Sequence, residues 1–119
     1  MAKLDINSLS GIDGFIGAAL VDSDSGMALA KLGGGSIDLD IASSGNTEVV
    51  KSKRRVASAL KINEKIDDIL ISLERQYHII RPLERNETLF LYLVLDRAKS
   101  NLAMARHELK TFEQNLDFS

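Results

Sequence analysis

Apolar and polar positions along the chain alternate between a period of two and a period near 3.6, and the changes of period mark out the elements. Phe15 to Val21 is a short apolar run with Ile16, Ala18 and Leu20 alternating against smaller residues, which predicts a first strand. Asp22-Ser23-Asp24-Ser25-Gly26 supplies turn chemistry, and Met27 to Leu32 returns as a second strand, making a hairpin. After Gly33-Gly34-Gly35, Ser36 or Asp38 is placed to cap a long helix over Asp38 to Leu60, with Leu39, Ala42, Val49, Val56 and Leu60 at helical spacing. The weak stretch of that helix is Ser43-Ser44-Gly45-Asn46-Thr47, where the glycine alone costs about 1 kcal/mol against alanine. Tertiary packing must compensate, or the helix begins later.

Three further strands are predicted over Ile69 to Leu73, Tyr77 to Leu83 and Thr88 to Leu95, joined by short polar turns that make neighbours antiparallel. The last of these is apolar on both faces, Leu89, Leu91, Leu93 and Leu95 against Phe90, Tyr92 and Val94, so it belongs at the centre of a sheet covered on both sides. Pro82 cannot donate to a ladder, so it lies near a strand end or where its nitrogen faces away from a neighbour. Asp96 is a candidate cap for a final helix in which Leu102, Ala105, Leu109, Phe112 and Leu116 draw one apolar stripe. Leu4, Ile6 and Leu9 predict a short first helix ending near Gly11. The expected architecture is an α+β, three-layer αβα sandwich around a five-stranded antiparallel sheet, in the order α-β-β-α-β-β-β-α, with residues 1–119 forming a single domain.

Composition narrows the function classes. A formal charge of −2 gives no global attraction to nucleic acid or anionic lipid, and the absence of cysteine removes disulfides, thiolate nucleophiles and thiolate metal sites. The first fourteen residues hold no apolar stretch long enough for a signal peptide, so the cytoplasm is the expected location. The longest apolar run, Leu89 to Leu95, falls far short of the about 20 residues of a spanning helix, so no membrane insertion is expected. Asn86-Glu87-Thr88 fits a glycosylation pattern that means nothing without secretion.

The segment Gly17-Ala18-Ala19-Leu20-Val21-Asp22, the Asp-Ser-Asp-Ser-Gly turn and Met27-Ala28-Leu29-Ala30 resemble the first hairpin of the roadblock family of dynein light chain type, and the resemblance in element order runs from about Leu4 to Leu116. That family is related to the longin and profilin-like folds. The resemblance implies a long middle helix on one sheet face, terminal helices on the other, and a homodimer paired through the strand after the middle helix and through the middle helices. Carried onto this chain, the pairing strand is Ile69 to Glu74 and the pairing helix Asp38 to Leu60, with Val49, Val56, Leu60, Ile69, Leu70, Ile71 and Leu73 as interface residues. An unpaired apolar edge at Ile69 to Leu73 independently calls for a cover. Family members act as scaffolds and regulators of motors and small Ras-like GTPases, which implies a non-catalytic interaction role with such a partner. The related profilin-like folds imply the alternative, a sensor holding a small ligand between sheet and helix.

Candidate chemistry is sparse. Lys51, Lys53, Arg54 and Arg55 form the basic cluster, read either as a plain solvated helix face or as a surface that docks an acidic partner, with no interleaved aromatics for nucleic-acid stacking. Asp22, Asp24, Asp38 and Asp40 lack a calcium-loop spacing, and Gly33-Gly34-Gly35-Ser36 lacks the lysine ending of a phosphate loop. His78 and His107 have no sequence-local partners for a triad, and Glu84 and Glu87 are ordinary turn residues. No catalytic constellation, metal site or cofactor is expected.

Overall fold

A computed structural model describes residues 5–116. Its elements are a 3-10 turn Asn7–Gly11, β1 Phe15–Asp22, β2 Met27–Gly33, α1 Leu39–Ala59, β3 Ile69–Ser72, β4 Gln76–Pro82, β5 Leu89–Asp96 and α2 Leu102–Gln114. The five strands make one antiparallel sheet in the order β2-β1-β5-β4-β3. This is the αβα sandwich expected, with α1 on one face and α2 with the 3-10 turn on the other.

The central position of β5 follows from its composition. Leu89, Leu91, Leu93 and Leu95 enter one core with Leu9, Ile12, Leu20, Ile79, Ala105 and Leu109, while Phe90, Tyr92 and Val94 enter the other with Ala19, Val21, Leu39, Val50 and Ile80. One strand therefore holds both layers of apolar packing together. Pro82 is the last residue of β4; Leu83 N still donates to Leu89 O, so by antiparallel alternation the Pro82 nitrogen faces away from β5, beyond the point where β3 pairs.

Three expectations are corrected. The first helix is only a five-residue 3-10 turn: Ile6 offers no side-chain cap, and Asn7, Ser8, Ser10 and Gly11 are poor helix formers, so the i+3 bond from Leu9 N to Ile6 O is not followed by α-helical continuation. Leu4 lies outside the described residues. The last helix is capped by Asn101, whose side chain accepts from Met104 N at 3.1 Å, and not by Asp96. Asp96 is held in the sheet instead, its N–H donated to Gly14 O at 2.7 Å and its carboxylate accepting from Ala98 N. Finally, the sheet-facing stripe of α1 is Leu39, Ser43, Thr47 and Val50, whereas Val49, Val56 and Leu60 point outward. Ser43 and Thr47 are buried because their hydroxyls are satisfied by the carbonyls of Leu39 (2.6 Å) and Ser43 (2.8 Å) in their own helix.

α1 runs unbroken through its weak stretch. Asp38 caps it, accepting from Asp40 N and Ile41 N at 2.9 and 3.1 Å. At the other end, Lys61 N bonds to Ser58 O and Ile62 N to Ala57 O, with Lys61 at φ +59°, so a lysine occupies the left-handed position that glycine usually takes after a helix.

Candidate interaction surface

The two free edges of the sheet differ. On β2 the register jumps between Leu20 opposite Ala30 and Val21 opposite Ala28, leaving Leu29 as an extra bulged residue, and Lys31 projects beyond it to Asp40 at 3.0 Å. A bulge and a lysine are the ordinary guards of an exposed edge. β3 has neither: it pairs residue for residue with β4, from Ile69 opposite Ile80 to Ser72 opposite Tyr77. Leu73 N donates to Gln76 O, so by antiparallel alternation Leu70 and Ser72 direct their backbone groups away from β4.

β3 offers apolar side chains as well. Ile69 and Ile71 border the core under α1, Leu70 borders the core under α2, and Leu73 is exposed just past the strand. On the same sheet face as Ile69 and Ile71, α1 presents Ile41, Val49, Val56 and Leu60 to solvent, Ile41 at 70% and Leu60 at 63% exposure. A shallow groove lined by Glu48, Val49, Ser52, Lys53 and Val56 runs along that outer side. Gly45, one turn from both Ile41 and Val49, leaves open space where a side chain would stand.

The basic cluster is divided by the helix. Arg54 turns back toward the sheet and donates to Glu87 O at 2.9 Å, bracing α1 against the β4–β5 turn. Lys53 lines the outward groove with Val49 and Val56. Lys51 and Arg55, four residues apart, share the other flank. The four residues are therefore not one solvated face.

The remaining candidates have structural occupations. Asp22 accepts from Asp24 N and Ser25 Oγ within its own turn, Asp38 caps α1 and Asp40 pairs with Lys31, so the aspartates do not converge. Among the described residues no group of three or more metal-ligating side chains comes together. Gly33, Gly34 and Gly35 all have positive φ, 65°, 110° and 55°, which fits a sharp connector, and the Asp38 carboxylate fills the helix N-terminus a phosphate would need. Glu84 lies 3.5 Å from Arg81 and Glu87 3.9 Å from Lys65, each ion-paired separately. His107 is exposed on α2.

His78 is half-buried in β4 facing the α1 layer. It lies 2.9 Å from Gln76 Oε1 through Nε2 and 3.0 Å from the Tyr92 hydroxyl through Nδ1, with the two rings edge to face. Burial lowers its pKa, consistent with a neutral ring that donates to Gln76 and accepts from Tyr92. Burial also pushes the Tyr92 hydroxyl up, partly offset by a hydrogen bond with Asn46 of α1. The Tyr92–His78–Gln76 chain thus joins β5 to β4 on the α1 side of the sheet, beside Ile71.

A second polar cluster escaped the sequence reading. Arg81 of β4 and Glu113 of α2, each 5% exposed at the side chain, form a 2.8 Å ion pair, and the second Glu113 oxygen accepts from Glu84 N at 2.6 Å. The signal was present: Arg81 interrupts the apolar run Ile79-Ile80-Pro82-Leu83, and Glu113 sits on the apolar stripe between Leu109 and Leu116.

Comparison with solved structures sets this arrangement among known folds. A Roadblock/LC7 domain from Streptomyces avermitilis superposes with a TM-score of 0.79 over 96% of this chain and 92% of its own, at 11% identity. The fold is the Roadblock/LC7 fold. An MglB with a tetrameric arrangement gives 0.77 at 18% identity, covering 92% of this chain and 79% of that one. The gliding protein MglB from Thermus thermophilus gives 0.74 at 17% identity, over 92% and 80% of the two chains. No protein-family model and no curated protein sequence matches the chain. At these identities the roadblock likeness is one of fold. No described helix is long and apolar enough to cross a membrane.

Proposed function

We propose that the chain is a non-catalytic interaction module that forms a homodimer through β3 and the outer face of α1, and that the dimer docks a regulatory protein such as a small Ras-like GTPase. The observation that carries the reading is the contrast between edges: β2 is bulged and guarded by Lys31, whereas β3 is flat, apolar and unguarded beside the outward stripe of Val49, Val56 and Leu60. Ile69, Leu70, Ile71 and Leu73 cover that edge best by pairing with themselves across a two-fold axis. The tetrameric arrangement of a protein with the same fold supports self-association as a habit of this architecture.

Light scattering over a dilution series tests the dimer. The expected mass is about 26 kDa, twice the 13.1 kDa of one chain. Ile71→Lys should reduce it to the monomer, and Val56→Glu, at a position 45% exposed, gives a second variant whose folding is not at stake. A persistent dimer in both would overturn the pairing.

The GTPase reading rests on the roadblock likeness together with the cationic flanks of α1. Reversing Lys51 and Arg55, while sparing Arg54, which braces the Glu87 turn, and Lys53, which lies in the groove of the proposed dimer face, should lower recovery of the GTPase from native lysate. Equal recovery would clear the patch. The sensor alternative has no observation in its favour, since both layers between sheet and helices are filled by apolar packing.

A further inference from the structure

The face of the sheet opposite α1 is covered by two unequal elements. α2 has 13 residues, about 20 Å of helix at 1.5 Å each, whereas the 3-10 turn has five, about 10 Å. The turn packs against β1 and β2 and cannot flank α2 along its whole length. What remains is a groove of about 730 Å³, running along α2 from Met104 and past its end to Leu116.

Its α2 wall is one continuous helix flank, Met104, His107, Glu108, Thr111 and Phe112, extended by Asn115 just past the helix, and the alternating spacings of three and one are those of a helix–helix seam. Leu9, Ile12 and Leu116 supply its apolar base, and Met104 stands 53% exposed at its mouth. Among the described lining residues the charged side chains are Asp5 and Glu108, and none is a lysine or arginine. Arg106 of α2 points elsewhere, paired with Asp68 at 3.0 Å. The geometry points to a docking site for an amphipathic helix of a partner protein, with apolar residues at i, i+3 and i+7 entering the groove and Lys or Arg beside them meeting Asp5 and Glu108. Anionic lipid and nucleic acid are disfavoured by the same two carboxylates. The groove lies across the sheet from α1, so its occupation is independent of the proposed homodimer, and a dimer carries two such sites.

The test is titration of the full chain with a synthetic helix of about four turns bearing leucines at that spacing and lysines at the flanks, read by backbone amide resonances. Saturable shifts are expected at Ser8 to Ile12 and along Met104 to Leu116. Glu108→Lys should weaken binding roughly tenfold relative to Glu64→Lys, which makes the same change of net charge on the α1–β3 connection. Equal weakening by the two variants, equal binding of the same helix with glutamates replacing the lysines, or shifts confined to α1 and β3 would each overturn the proposal. A peptide of this chain's own residues 38–62 serves as a further arm: tighter binding of that peptide in the groove would make the occupant a second copy and overturn a foreign partner.

Discussion

Replacing Glu113 with alanine removes one half of a buried ion pair and leaves the other in place. Arg81 and Glu113 are each 5% exposed and 2.8 Å apart. The remaining acidic neighbours of Arg81, Asp67 and Glu84, stand 3.5 Å away with side chains 85% and 66% exposed, too far out to neutralise a buried guanidinium fully. Breaking a buried pair on one side costs about 3–5 kcal/mol, and the Glu84 N–H loses its acceptor at the same time. Domains of this kind have about 5–15 kcal/mol of total stability, so Glu113→Ala sits near the threshold of folding. With a urea slope of about 1.5 kcal/mol per molar, the midpoint should fall by about 2–3 M in titrations followed by far-UV circular dichroism. Protein concentration must be held constant, because self-association adds to apparent stability. The double variant Arg81→Met/Glu113→Leu should recover most of the loss, since an apolar pair of similar volume incurs no desolvation of charge. A loss below about 1 kcal/mol for Glu113→Ala, or a double variant worse than the single, would refute the account of the pair as a mutually dependent buried contact.

Lys61→Gly should stabilise by about 0.5–1 kcal/mol, because Lys61 holds a left-handed backbone that costs a side-chain-bearing residue energy, and thermal melts read the gain. Gly45→Ala should add about 1 kcal/mol to α1, since the new methyl group meets open space within the chain; simultaneous weakening of the dimer in light scattering would place a second α1 against it. His78 has a lowered pKa in the fold, so its contribution is complete above its ordinary value of 6.5 and is lost as pH falls through the lower folded value. Urea midpoints of the wild type should therefore drop more than those of His78→Gln between neutral and acidic pH, and parallel pH curves would contradict the burial of a neutral ring.

Strand order and layering were legible because β5 carries leucines on one side and Phe90, Tyr92 and Val94 on the other, a pattern only a central strand satisfies. Pro82 narrowed the end of β4 only to two placements, and the strand expected to reach Leu83 ends at Pro82. Misreadings arose where polar side chains found partners that no linear pattern displays. Ser43 and Thr47 face the core because their own helix accepts their protons, so the apolar periodicity of α1 traced Val49, Val56 and Leu60 on the outside instead. Asp96 has a capping side chain, but its N–H is committed to Gly14, 82 residues earlier in the chain, and this keeps it in the sheet. For the candidate surface, the sequence located the apolar β3 edge. It did not reveal that Arg54 is withdrawn into a brace, or that the opposite edge is guarded by a bulge.

The order in which strands lie in the sheet has a consequence during synthesis. β1 is flanked by β2 and β5, yet β5 begins at Leu89, 67 residues after Asp22 ends β1. At a translation rate of about 5–20 residues per second, that interval lasts roughly 3–13 s. Through that interval β1, joined by β2 once Gly33 is made, has the backbone edge that pairs with β5 open and no native strand to close it. A nascent chain stalled before Leu89 has neither of its two cores, however well its hairpin and α1 are formed. The residues from Leu89 onward therefore decide whether the first hairpin becomes folded protein or aggregate.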